Sequence, residues 1–593
     1  MHITSVTFDP KNDHHLSYIN EHLECYSDDE LSAIYNITDI DIKQEAWNLY
    51  CSYNARDTEL VDKLDNKLKL IDLVYAMAYD GKYNFEDAFG TVRPWDVMIH
   101  HYLLERNIVI PPTKHAIANR SIVGGYVKEP QIGMHKWVVS FDVRSLYPSV
   151  IMGYNLSPDT LVGRNPVTYT TEQMLSGEVD TQDLINRNVT LTGNNLNFSR
   201  EKEGFIPAIM RHMFNDRNRF KDLMLEAQDK LESAKSQNEN PTQHENDVVK
   251  FDKRQQSKKI QLNSGFGAQG NQHFRWFHLD TAEAITLSGQ LTTRWIELKL
   301  NKKLNKMFKT NKDWVIAVDT DSAYLNMESV VQHVFGDQRD DCLKITKYLD
   351  KVGKEVLEPY IHECFEQLAA QQNVTSNTIY MKREAIGNRA IWRGAKNYII
   401  NVYNNEGVTY AEPKLKMMGI EAIKTSTPQV CRDGIKQALT VIMNKTEKEL
   451  QEFIEQFRVK FSTLSFEQVA FPRSVSNLEQ YYSPSTVYIK GTPMNSKASL
   501  LYNFHLKKHD LEEKYEAIAS GQKIKYSYLK VPNPIGDKVI AAPNGRLPEE
   551  FGLDSYIDYN TQYEKTFLGP VKSITNVIGW EVEPKATLDA LFA

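Results

Sequence analysis

The sequence predicts an α+β protein of several domains, and three observations carry that expectation. The 593 residues exceed what one hydrophobic core organises, and imply about four domains of roughly 150 residues. Long stretches place apolar residues three and four apart, the helical period. Two runs rich in β-branched and aromatic residues meet aspartates: HKWVVSFD ends at Asp142, and WVIAVDTDSAYLNM contains Asp319 and Asp321.

Along the chain, residues 1 to about 113 are acidic and mostly helical in pattern. DTELVDKLDNKLKLIDLVYAMAY from Asp57 is an example, its apolar positions recurring at three and four, and Pro111-Pro112 is the stop. The pattern turns strand-like from Gly124 to Val150, and the strand ending at Asp142 leads into the turn-to-helix segment VRSLYPSVIM. Residues 205–236 and 247–264 read as two helices of a hairpin, separated by the polar breaker QNENPTQHEN around Pro241. The hairpin base is cationic, with Arg211, Arg217, Arg219 and Lys221 outgoing and Lys250, Lys253, Arg254, Lys258 and Lys259 returning; taken alone this is a solvated charged face. Trp314 to Met327 reads as a β-hairpin with its carboxylates at or near the tip. Beyond residue 420, helical and strand-like segments mix, with aromatics and lysines interleaved, before the short apolar tail ATLDALFA. No solenoid period and no long flexible linker occurs, so the domains are expected to pack together.

Composition narrows the function classes. No apolar run approaches the ~20 residues of a membrane span, so no membrane partner is expected. The start MHITSVTFDPKNDHH lacks the features of a secretory or transit leader, so the chain is expected to stay where it is made. Five scattered cysteines without C-x-x-C spacing argue against disulfide, zinc and thioredoxin chemistry. Seventy basic and 77 acidic residues give a net charge of −7, which leaves nucleic-acid binding to a local groove and not to the total.

Asp142, Asp319 and Asp321 form a set of hard oxygen ligands suited to Mg²⁺, which is commonly held by a few carboxylates together with substrate phosphates. A pair of such ions suits in-line phosphoryl transfer. Asp-x-Asp by itself is more often a capped turn. On the returning helix Lys259 and Asn263 are four apart, with Phe266 and Gly267 following; Arg217 and Lys221 are four apart on the outgoing one. Cations on such faces, together with a carboxylate cluster, are what a triphosphate requires.

In chain order, SFDVRSLYPS (140–149), KIQLNSGFGAQGN (259–271) and AVDTDS (317–322) resemble the A, B and C motifs of family B DNA polymerases, and most nearly those of the replicative polymerases of T-even-type bacteriophages. Supporting matches are GGYVKEP (124–130), FNDRNRFK (214–221), REAIGNRAIWRGAKNY (383–398), KLKMMGIEAIKTSTP (414–428), NPIGDKVIAAPNG (533–545) and EKTFLGPV (564–571). The resemblance implies a right-hand polymerase: a partial RNase H-like exonuclease domain (1–113), a palm (114–200 and 272–420) interrupted by fingers (201–271), and a thumb (421–593). It implies primer-template DNA and dNTPs as partners, two Mg²⁺ ions with Mn²⁺ as a substitute, and work in the cytoplasm of the infected bacterial host. By position it makes Asp142 and Asp321 the principal metal ligands and Asp319 a supporting one. Arg217, Lys221 and Lys259 hold the triphosphate with Asn263 beside it. Leu146 and Tyr147 line the nucleotide site, Tyr147 obstructing a ribose 2′-OH. Glu384, Lys396, Tyr398 and Phe266 lie near the metals, the primer terminus or the nascent pair.

Several positions depart from the family pattern. Phe266 stands where Tyr is usual, Gly265 where a bulkier residue is usual, and Lys382 where the phage relatives carry an acid. Ala395-Lys396-Asn397-Tyr398 keeps part of a K-K-R-Y signature, and the stretch from Arg217 to Lys259 is short, implying a short fingers hairpin.

YNARD, Tyr53 to Asp57, resembles the third motif of the proofreading exonuclease, yet the two upstream acidic motifs have no room before it; Asp39-Ile40-Asp41 reads as a helix start. The expectation is a chain without proofreading of its own, the polymerase part of a split enzyme whose exonuclease sits on a separate polypeptide. Leu588, Leu591 and Phe592 resemble a sliding-clamp anchor, with a tail packed on its own domain as the alternative. The competing reading is a non-catalytic DNA-holding subunit, in which the carboxylates would be ornamental.

Overall fold

The computed structural model describes residues 40–113, 120–237, 239–337, 341–543 and 545–584. Leu588, Leu591, Phe592 and Asp39 lie outside these residues. The chain divides into two compact units, Met1–Gly90 with Asn215–Gln261, and Thr91–Phe214 with Leu262–Ala593. Among the described residues no helix is long and apolar enough to cross a membrane.

The first unit is helical. Helix α1 spans Ile40–Leu68 and α2 spans Leu70–Gly81. The helical pattern read from Asp57 is borne out, with a break at Lys69, whose backbone is left-handed (φ 52°). Asp65 causes the break locally: its Oδ1 accepts from the backbone N–H of Ile71 at 2.9 Å and supplies a cap that α2 would otherwise lack. The unit also takes in most of a hairpin made by α3 (Phe205–Ser236) and α4 (Thr242–Gln269). The returning helix starts at Thr242 and not at residue 247. Pro241 ends the connection, and the polar QHEN turn that follows is helical without an apolar stripe to announce it. Within the unit the two helices are joined by a Lys235–Glu245 ion pair at 3.0 Å and by Arg254 lying 5.2 Å over the buried Phe220 ring.

The second unit is built around a six-stranded antiparallel sheet. Its strands are β1 (Gly133–Val143), β2 (Val315–Asp319), β3 (Ser322–Asn326), β4 (Met381–Gly394), β5 (Asn397–Asn405) and β6 (Val408–Met418), in the order β2-β3-β1-β4-β5-β6. Central β1 is buried continuously from Trp137 to Phe141, the signature of a strand covered on both faces. Helix α5 (Leu146–Gly153) follows β1 directly, and α6 (Leu279–Phe308) packs against α5 and β2. A 13-residue helix, Val92–Leu104, precedes β1 in the chain.

Residues 420–582 pack an apolar core that also takes in Ile391 of β4 and Ile399 of β5, and in it helix Gln429–Asn444 packs on helix Glu447–Phe461. Phe457 and Phe567 meet there at 4.4 Å between ring centroids, and a Cβ at Gly434 would lie 2.7 Å from the Phe457 ring. This core includes the small sheet Phe471–Ser474, Lys523–Tyr528 and Val539–Ala542.

Candidate active site

Two segments far apart in sequence deliver aspartates to one end of the large sheet, β1 with Asp142 and the β2–β3 hairpin with Asp319 and Asp321. In the β1–β3 register Asp142 stands opposite Ser322, and in the β2–β3 hairpin Asp319 pairs with that same Ser322, which leaves Thr320 and Asp321 as the turn. Thr320 takes a left-handed backbone (φ 59°), unusual for a β-branched residue, so its surroundings must enforce it. They do so through hydrogen bonds: the backbone N–H of Thr320 donates to Tyr126 O (2.8 Å), that of Asp321 to Asp319 O (2.7 Å), and that of Val143 to Asp321 O (2.9 Å). The 124–130 segment runs along β2, with Lys128 N donating to Val318 O at 3.0 Å. At Gly125 a Cβ would fall 2.7 Å from Thr320 Cγ2 and 3.0 Å from the Tyr147 hydroxyl, so the bare backbone lets this segment close on the turn.

The acids are held under mutual repulsion. Burial, and then the charge of Asp321, push the Asp142 carboxyl up to about 7, although Ser322 Oγ donates to Asp142 Oδ1 at 2.7 Å and moderates the rise. Burial likewise raises Asp321, with Asp319 and Glu384 adding to it. Two lysines answer the cluster: Lys396 Nζ donates to Asp319 Oδ1 at 2.5 Å and Lys416 Nζ to Glu384 Oε1 at 2.7 Å. Ser322, Lys416 and Ser140 were not singled out as site residues from sequence. Lys416 lies inside the KLKMMG match, where nothing local marks it; only the sheet brings it to Glu384.

Among the described residues, no three or more His, Cys, Asp or Glu side chains form a ready-made metal cage. Two neighbouring carboxylates whose proton affinities are raised by burial first and then by nearby acids suit an ion that takes its remaining ligands from water and substrate phosphate, which is the habit of Mg²⁺.

Beside the acids, Tyr147 at the start of α5 stacks obliquely on Phe266, with ring centroids 4.5 Å apart. Gly289 of α6 makes room, since a Cβ there would lie 3.2 Å from the Tyr147 ring. Burial and the Asp321 charge raise the Tyr147 phenol. Leu146 is buried beneath, and Asn263 is exposed on its helix. Gly265 has a packing reason: the Trp95 indole occupies its Cβ position, at 2.5 Å, and donates from Nε1 to Ser264 Oγ at 3.1 Å. Lys396 is exposed, whereas Tyr398 is only 3% exposed and shares a 2.8 Å hydrogen bond with the Tyr324 hydroxyl. The structure therefore places Tyr398 in the sheet core and not on an open DNA-facing surface.

In the first unit, Arg217 and Lys221 occupy successive turns of α3, and Lys259 is exposed on α4. Not all of the hairpin's cations are available. Lys258 is buried between Asp80 (3.2 Å) and Asp216 (3.7 Å), and Arg219 pairs with Asp216. Tyr53 and Asp57 are exposed one turn apart on α1.

Residues 95–568 match DNA polymerase family B. The chain is 29% identical over 591 residues to the DNA-directed DNA polymerase of Enterobacteria phage T4, and 30% identical over 593 residues to that of Escherichia phage RB69. Each alignment covers 92% of this chain but 65% and 64% of the relative, so the chain spans just under two thirds of their length. A shorter similarity, 28% over 274 residues, covers 45% of the chain and 29% of DNA polymerase 1 of Pyrococcus abyssi. With the family match running through β1, the hairpin helices and the β2–β3 turn, the chain belongs to DNA polymerase family B.

Proposed function

We propose that this chain is a template-directed DNA polymerase that extends a primer with dNTPs. The observation that carries the reading is the gathering of Asp142, Asp319 and Asp321 around Ser322 at the end of the large sheet. In the reaction the primer 3′-OH attacks the α-phosphate of a dNTP, forming the new P–O bond as the bond to pyrophosphate breaks. Asp142 and Asp321, with Asp319 in support, would hold two Mg²⁺ ions, which supply electrostatic stabilisation of the attacking and leaving oxygens when bound.

The chain's own residues do the rest. Arg217, Lys221 and Lys259 bind the triphosphate, with Asn263 beside it. Tyr147, backed by Phe266, leaves no room for a ribose 2′-OH, and Leu146 supports it from below. Lys396, whose side chain is 58% exposed, holds Asp319 loosely and is free to exchange it for the primer end. Binding through backbone phosphates makes the complex salt-sensitive despite the net charge of −7.

In this reading residues 114–200 and 272–420 are palm, 201–271 fingers, 421–593 thumb and 1–113 a partial exonuclease domain, and the protein works in the cytoplasm of an infected bacterium. Leu588, Leu591 and Phe592 anchor a sliding clamp. Clamp-dependent processivity after deletion of the last eight residues tests this anchor.

The deciding experiment is primer extension with the parent and Asp321→Asn. Extension by the parent, with a loss of about a thousandfold or more in the variant, is expected. A parent that grips primer-template without extending it would point instead to a DNA-holding subunit.

A further inference from the structure

Lys416 is on β6, where it pairs across the ladder with Ile400 of β5, yet its ammonium reaches beyond β5 to Glu384 of β4. Glu384 is gripped at both ends: Oε1 accepts from Lys416 Nζ at 2.7 Å, and Oε2 accepts from Ser140 Oγ at 3.1 Å. Ser140 Oγ in turn accepts from the backbone N–H of Ala385 at 3.0 Å. These contacts fall where β1 and β4 slip in register. Val139 faces Ile386 and Phe141 faces Arg383, so Glu384 and Ala385 together oppose Ser140 alone. Asp142 follows two residues later on β1.

The two lysines of the site differ in kind. The Lys396 side chain is 58% exposed; those of Lys416 and Glu384 are 30% and 26% exposed. An exposed pair exchanges easily, whereas opening a half-buried one strands a charge, and here a further hydrogen bond to Ser140 would be lost as well. Held in this way, Glu384 cannot swing an oxygen toward Asp142 and Asp321, although its charge reaches both.

We propose that Lys416 is a positioning residue for the polymerase reaction: by clamping Glu384 to Ser140 it keeps an additional carboxylate out of the cation site and fixes the strand slip that presents Asp142. This rests on the polymerase reading above.

The test uses the full chain and Mn²⁺ alone as probe, measured by electron paramagnetic resonance without nucleotide, beside steady-state primer extension. Lys416→Met frees the Glu384 carboxylate, so Mn²⁺ is expected to bind about tenfold more tightly while kcat falls about tenfold and the dNTP KM moves less than about twofold. Lys416→Arg restores both parental values, and Lys416→Met with Glu384→Gln returns Mn²⁺ binding toward the parent. Lys416→Gln, which keeps a donor to Glu384, serves if the methionine variant does not fold, and should give shifts in the same directions but smaller. Parental Mn²⁺ binding and kcat in Lys416→Met, or in Lys416→Gln where that stands in, would overturn the proposal, as would an arginine variant no better than methionine. If the parent fails to extend primers, the polymerase reading falls, while the Mn²⁺ measurements still report on Lys416.

Discussion

The carboxylates and the hairpin cations are held in place by opposite means. Asp142 and Asp319 stand near the ends of strands and Asp321 in the β2–β3 turn, and pairing of the hairpin with the distant β1 and backbone hydrogen bonds at the turn fix them. Arg217, Lys221 and Lys259 are placed by helical spacing, on helix faces that remain partly or fully open to water. The first arrangement holds half-buried acids beside one another, at a cost of desolvation and then of repulsion; the second lets long side chains adapt to what binds. Substitutions should accordingly act on turnover in the first region and on nucleotide affinity in the second.

The largest expected effect breaks the comparison at its rigid end: Asp142→Asn, like Asp321→Asn, should reduce single-turnover primer extension by about a thousandfold or more with primer-template affinity little changed. At the adaptable end, Lys259→Ala should raise the dNTP KM by roughly 10 to 100-fold with a smaller change in kcat, because it removes a charge-assisted contact to the triphosphate. An equal loss in both parameters would place Lys259 among the rigid elements instead. Between the two, Tyr147→Ala should relax discrimination against ribonucleotides by about 100-fold, read from competing dNTP and rNTP incorporation.

A smaller effect tests the cost of holding the Asp142 carboxyl half-buried beside Asp321. The Asp142 carboxyl titrates near 7 when folded, against about 3.9 in an unfolded chain. Without metal the folded state therefore holds the proton more tightly. That contribution is complete below about pH 4 and is lost as pH rises through about 7. Thermal melts of the metal-free parent should show this decline, and Asp142→Asn should flatten it and raise stability at pH 8 by roughly 1 kcal/mol. A variant less stable than the parent at pH 8 would mean that Asp142 is not under strain.

What was legible in the sequence follows the same division. The strands ending at Asp142 and Asp319 could be read because burial on both faces demands an apolar run and the acid interrupts it. The hairpin helices could be read because their spacing is local. The break at Lys69 could not, since it depends on the Asp65 carboxylate capping Ile71 and on a lysine taking a left-handed backbone. Lys258 looked like one more solvated cation, but its helix turns it inward between Asp80 and Asp216. Lys416 and Ser140 have no local signature at all, because their meaning arises from strand order. Tyr398 could be matched to a motif, but its burial could not be foreseen from the motif.

The central claim is that Asp142 and Asp321 together hold the reaction's cations. Its most direct test is anomalous diffraction from Mn²⁺ in crystals of the protein with primer-template and an incoming dNTP. Peaks bridging the carboxylates of Asp142 and Asp321, with triphosphate oxygens completing the ligand shell, are predicted. Peaks remote from those two side chains, in a complex that still extends its primer, would contradict it.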